Sequence, residues 1–206
     1  MSHNHEQLTE LQEHFTHLEE LVERSRSMSY FDLQGLPDTV LIIIGKLLSP
    51  IDLSNISEVN SRFSFLRNYL PHQIEFRGED FYERGPHDGH FVPRDYFQSP
   101  IMFSKVKKIT MSFDWCDQGY GNRKGMIWVE VIRKGKVIAN SMEDEDSYEH
   151  VAPHREEHKT IEIENTDLIR GIQKGDILMF RKNVGGGGGH SLSVKNFICH
   201  LELNKY

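Results

Sequence analysis

Apolar residues recur along this chain with two different periods, and the change falls near residue 70. Before that point the spacing is helical. Leu8, Leu11, Phe15, Leu18 and Val22 alternate intervals of three and four, with Glu, Gln and His between them. That pattern predicts one amphipathic helix over residues 4–25, opened by a capping box of Asn4 and Gln7. Its seam lies against neighbouring helices or, as a short coiled coil, makes a weak self-association. Arg24 to Ser29 reads as a hinge. Val40, Leu41, Ile42, Ile43 and Ile44 follow as consecutive apolar residues, with Leu47 and Leu48 one turn later. A run of that length leaves a helix no polar face. A unit of about 40 residues rarely builds a core that hides so much apolar surface. A partner, or the rest of the chain, must cover part of it.

Beyond residue 70 the period becomes two. Residues 108–115, 126–133, 136–140, 159–164, 176–182 and 192–203 alternate apolar and polar positions and predict six strands. Arg133-Lys134-Gly135-Lys136 reads as a tight hairpin turn. In the last strand the inward set Leu192 and Val194 shifts phase to Phe197, Cys199, Leu201 and Leu203, which predicts a bulge near Lys195-Asn196. Short strands with frequent turn signals imply an antiparallel β-sandwich. Residues 75–100 join the two regions and are rich in aromatics, so Phe76, Phe81, Tyr82, Phe91, Tyr96 and Phe97 are expected to pack the segment onto the sandwich.

Residues 36–66 resemble the F-box, the motif that docks adaptors onto Skp1 in cullin-based ubiquitin ligases. Leu36-Pro37, Val40-Leu41, Ile44 and Leu47-Leu48 carry the likeness, continued by Pro50, Asp52-Leu53, Val59, Asn60, Arg62 and Phe63. Two positions depart from the usual pattern: Asp38-Thr39 at the acidic second position, and Phe63 where many F-boxes have Trp. The resemblance implies that Leu36, Pro37, Val40, Leu41, Ile44, Leu47, Leu48 and Leu53 fill the Skp1-facing groove or hold its geometry.

The 206 residues suit one ordinary domain plus a small one. The expected class is α+β, with an N-terminal helix over 1–29, an F-box helical unit over 30–71 and a β-sandwich with its linking segment over 72–206. A net charge of −7 gives no general attraction to nucleic acid or anionic membrane. No apolar run of spanning length and no signal-peptide pattern is present. The two cysteines, Cys116 and Cys199, speak against a disulfide framework and for a cytoplasmic or nuclear setting.

Residues 112–125, SFDWCDQGYGNRKG, form the densest polar and aromatic cluster. Read as a loop, it offers Trp115 and Tyr120 for stacking and Asp117, Gln118, Asn122, Arg123 and Lys124 as donors and acceptors. An alternative reading has Asp117 and Asn122 satisfying loop amides and Arg123 pairing with a carboxylate. Val184 is followed by Gly185 to Gly189 and then His190, a glycine loop between two strands. Five ordered glycines need a reason, such as room for a ligand or another loop. Gly187 and His190 join the candidate ligand residues. These two segments resemble a galactose-binding-like, jelly-roll-type sandwich found behind some F-boxes, although galactose binding itself is not implied.

His150, His154 and His158 recur at intervals of four, but Pro153 disfavours a helix and solvated or hydrogen-bonded histidines are expected rather than a metal site. No nucleophile, base and orienting acid can be assembled from the sequence, so no catalytic residue, metal or cofactor is assigned. The expectation is a non-catalytic substrate adaptor of a Skp1–cullin–F-box ligase, with loops 115–124 and 185–190 capturing a protein cargo that could be glycosylated. The alternative is a stand-alone module binding carbohydrate or another small ligand.

Overall fold

The fold was read from a computed structural model, which describes residues 35–59, 61–143 and 150–204. The expected helix over 4–25, the hinge after it and most of the acidic run 143–146 lie outside the described residues. The chain divides into two compact units, Met1–Leu47 and Leu48–Tyr206.

In the first unit, α1 (Asp38–Leu47) starts where Pro37 ends. The Pro37 carbonyl accepts the first intrahelical bonds, from the amides of Val40 and Leu41. Asp38 in the first turn and Lys46 in the last complement the helix dipole. Leu41 is buried, whereas Ile43 and Leu47, one turn apart, are 56% and 70% exposed.

The second unit opens with α2 (Pro50–Val59). Ser49 caps it: its Oγ accepts from the Asp52 amide and donates to Asp52 Oδ2, and Pro50 occupies the first helical position. A 3-10 helix, Ser61–Tyr69, packs beside α2 and buries Phe63 and Leu66. Two bonds tie α2 to the sandwich. Ser54 Oγ donates to the Phe103 carbonyl, and Glu58 pairs with Lys174.

Among the described residues, nine strands follow in two antiparallel sheets. They are β1 (Gln73–Arg77), β2 (Phe81–Arg84), β3 (Arg94–Gln98), β4 (Val106–Asp117), β5 (Met126–Arg133), β6 (Lys136–Asn140), β7 (Glu157–Glu164), β8 (Ile177–Asn183) and β9 (Ser191–Leu203). One sheet runs β1-β9-β4-β7, with β2 also on β9; the other runs β3-β8-β5-β6. The molecule is therefore mostly an antiparallel β-sandwich with a few short helices.

The six strands expected from alternation are all present, with β5 and β6 at the expected bounds. Lys134 and Gly135 turn between them with φ of 51° and 75°. The β9 bulge is also present: register shifts between Ser112 and Asp114, and Asn196 adopts a φ of 54°. The bulge keeps Leu192, Val194, Phe197, Cys199, Leu201 and Leu203 all pointing into the core.

The linking segment, for which no strands were expected, contributes to the three short strands β1 to β3. Phe76 and Phe97 enter the core from it. Phe97 stacks on Phe180 at 4.4 Å, Phe113 stacks on Phe197 at 5.1 Å, and edge-to-face contacts join the pairs across the two sheets. Phe91 stacks instead on Trp128, and Tyr82 faces solvent. A short helix, α3 (Asp167–Gly171), was also not expected. Thr166 caps it, and it buries Leu168 and Ile169.

Among the described residues no helix is long and apolar enough to cross a membrane, and both cysteines are free thiols.

Candidate functional site

Three segments of the second unit meet at one end of the sandwich and line a cleft of about 500 Å³. The first is the end of β2 and the turn after it, giving Tyr82, Arg84, Gly85 and His87. Tyr82 and Arg84 are two residues apart on one strand, so both point outward while Phe81 and Glu83 point in. The second is the β4–β5 loop, giving Gln118 and Tyr120. The third is the glycine loop and the start of β9, giving Gly188, Gly189, His190 and Ser191. Arg84 sits directly across from Ser191, and the Gly85 amide donates to the His190 carbonyl.

The glycines that hold these loops together are those where backbone meets backbone. A β-carbon on Gly186 would lie 1.7 Å from the Gly89 carbonyl oxygen, and one on Gly85 would lie 1.9 Å from that of Gly185. Gly185 and Gly186 are buried; Gly187 to Gly189 are exposed and form the lip. The Gly187 amide donates to the His87 carbonyl, and Lys124 Nζ bonds both His90 Nδ1 and the Gly186 carbonyl.

The loop residues named from the sequence divide into three groups. Gln118, Tyr120 and His190 line the cleft, and Gly187 and Lys124 shape its lip. Asn122 and Arg123 are exposed on the loop but do not line it. Asp117 is structural: its side chain is buried, accepts from the Gly119 amide and meets His154 Nδ1 at 2.7 Å. Trp115 is a correction. It is not on a loop but in β4, 2% exposed, edge-on to Phe113 at 5.0 Å in the core. The alternation Phe113, Trp115, Asp117 already placed it inward, because the strand runs on to Asp117. Tyr82, Arg84, His87 and Ser191 were missed.

Two polar atoms of the cleft are screened from water and, among the described residues, have no hydrogen-bond partner: Gln118 Oε1 and His190 Nδ1. The amide end of Gln118 is fixed, because Nε2 donates to the carbonyls of Tyr120 and Asn122. Burial and the Lys124 ammonium lower the His190 pKa, which favours neutral imidazole. The guanidinium of Arg84 and the hydroxyl of Ser191 lower that of Tyr82.

A second constellation lies on the outer face of the β1-β9-β4-β7 sheet. Ser112 Oγ is 3.0 Å from His158 Nε2, and His158 Nδ1 is 2.8 Å from Asp114 Oδ1. Asn196 holds the other Asp114 oxygen at 2.8 Å, and it and then His158 lower the Asp114 pKa. A nucleophile, base and orienting acid are thus in contact, an arrangement the sequence did not disclose because β4 and β7 bring them together. A hydrolase site also needs an oxyanion hole and a substrate pocket beside these groups. The His158 side chain is 61% exposed, and β4 is paired on both edges, so its amides are largely spent on ladders.

His150, His154 and His158 do not converge: they meet the Ile127 carbonyl, Asp117 and Asp114 respectively. Among the described residues no cluster suited to a metal ion occurs.

Of the residues named from the F-box likeness, Leu41 and Leu53 are buried, Leu36, Val40, Ile44 and Leu48 are half-buried, and Pro37 and Leu47 are exposed.

No family model and no curated protein matches this chain. Solved structures with a similar course include that of infectious bursal disease virus, Gx strain, with a TM-score of 0.41 at 8% identity over 64% of this chain and 32% of that one. A CBM4 structure gives 0.33 at 6% identity, over 64% of this chain and 95% of that one. The Stig cyclase Fisc from Fischerella sp. TAU gives 0.29 at 8% identity, over 65% and 86%. This chain spans about a third of the viral chain, and likeness at these levels carries no functional argument.

Proposed function

We propose that this chain is a non-catalytic substrate adaptor of a Skp1–cullin–F-box ubiquitin ligase. Its F-box-like segment docks on Skp1, and its galactose-binding-like sandwich holds the cargo. The carrying observation is the pair Ile43 and Leu47, two large aliphatics one turn apart on α1 that face solvent inside the stretch resembling an F-box. Each forgoes roughly 1.5–3 kcal/mol in water, which a hydrophobic groove would recover. Ubiquitin transfer belongs to the partners, in the cytoplasm or nucleus.

The test is co-purification with recombinant Skp1. Ile43→Asp with Leu47→Asp abolishes capture, while the thermal unfolding of the sandwich stays unchanged. Undiminished capture by that variant removes the interface. Leu41 is a poor test position, because a charge at a buried site disturbs folding first.

A second reading is favoured by the cleft: a stand-alone ligand-binding module whose helices serve only the fold. Slow hydrogen exchange throughout α1 in the isolated, monomeric protein, with no Skp1 capture, would establish it.

A further inference from the structure

We propose that the cleft between β2, the Gln118–Tyr120 loop and the glycine loop binds an anionic group of a polypeptide, a phosphate or carboxylate carried beside an N–H donor. That the occupant is a polypeptide rests on the adaptor reading; the anion and the donor rest on the cleft alone.

Charge gives the first argument. The chain is acidic, with 31 Asp and Glu against 24 Lys and Arg, yet none of the described lining residues is acidic. Arg84 is there instead, beside the imidazoles of His87 and His190. Two carboxylates near the lining residues, Glu83 and Asp117, are engaged elsewhere. Glu83 points to the opposite face of β2, where it pairs with Arg94 and Lys182. Asp117 lies beneath the cleft with Oδ1 held by the Gly119 amide and His154, although its charge still reaches His190. Lys124 adds a further cation at the lip. A guanidinium kept outward, with no carboxylate partner among the described residues, suits a planar or tetrahedral oxyanion.

Unmade hydrogen bonds give the second. His190 Nδ1, as an N–H, can donate to an anion held by Arg84 across from Ser191. Gln118 Oε1 can only accept, and its orientation is fixed, so a ligand that reaches it presents a donor. A phosphorylated side chain near a backbone amide meets both demands. So does a C-terminal carboxylate next to the last peptide N–H. Tyr82 and Tyr120, 65% and 70% exposed, stand as side walls for the flanking residues. The volume fits a residue or two.

The experiment is NMR titration of the full chain with N-acetyl-phosphoserine amide, N-acetyl-alanine bearing a free carboxylate, and N-acetyl-alanine amide as neutral control. The expected result is saturable shifts at the His190 imidazole and the Gly188 and Gly189 amides with one or both anions, and weaker ones with the control. Which anion acts identifies the source. Arg84→Gln, at an outward position, lowers the affinity at least tenfold while the spectrum stays folded, and Gln118→Ala weakens the N–H-bearing probes more than inorganic phosphate. Equal shifts from the neutral control, no shift from either anion at about 20 mM, or unchanged binding by Arg84→Gln overturns the proposal. So does saturable binding of uncharged chitobiose at these same residues in place of the anions. Loss of Skp1 capture with anion binding intact would instead overturn the adaptor reading and leave the cleft standing.

Discussion

Gly186 faces the carbonyl of Gly89 so closely that a β-carbon would sit 1.7 Å from the oxygen, backbone against backbone. No side-chain rotation relieves such an overlap. Gly186→Ala therefore forces the two loops apart, costing about 2–3 kcal/mol in chemical denaturation and opening the cleft. Gly188 has open space around it, but its φ of 81° is strained for any side chain. Gly188→Ala should cost only about 1–2 kcal/mol and leave the cleft assembled. Equal effects of the two would contradict the close approach.

Trp115→Ala is a core mutation, not a ligand-site mutation. With Trp115 nearly fully buried against Phe113, truncation should cost about 3–5 kcal/mol in denaturant unfolding. A change below 1 kcal/mol with ligand binding lost would return the residue to the surface.

His190 gives a dependence on acid. Its folded pKa lies below the ordinary 6.5, through burial first and the Lys124 ammonium second, with His90 acting in the same direction and Asp117 opposing. The unfolded chain takes up this proton before the folded one does. The stability held above pH 6.5 is therefore lost progressively as pH falls from there towards the folded pKa. His190→Gln removes that component, and an NMR titration of the wild-type imidazole places its midpoint below 6.5. A midpoint above that value would contradict the environment described.

Ser112, His158 and Asp114 invite a direct assay. The wild-type chain should form no adduct at Ser112 with a fluorophosphonate, and its hydrolysis of p-nitrophenyl acetate should match that of Ser112→Ala. An adduct at Ser112 that disappears in His158→Ala would make the cluster catalytic.

The longer strands were legible, because one buried face fixes the phase of every side chain, and the five-residue β6 was legible through the tight turn that ties it to β5. Even the β9 bulge could be read, from the shift between Val194 and Phe197. β1, β2 and β3 were hidden by brevity: four or five residues bounded by Gly78, Gly85 and Pro93 leave too few alternations to separate from loop. That also hid Tyr82 and Arg84, whose outward pairing exists only once β2 joins β9. Trp115 was misread for a different reason, since its polar neighbours suggested a loop while its period was still that of the strand. The glycine run was recognised as needing a cause, but the cause is the backbone of residues 85–89, which no local pattern reveals. Ser112 and His158 meet only through strand register.

β9 gathers β1 and β2 on one edge and β4 on the other, so a single segment of 13 residues joins partners from 75 (Asp117 and Leu192) to 129 (Gln73 and Glu202) positions earlier. During synthesis those earlier strands wait with open edges until residues 191–203 have left the ribosome. The nascent chain should therefore remain protease-sensitive and engaged by chaperones until that late point, then close in one cooperative step.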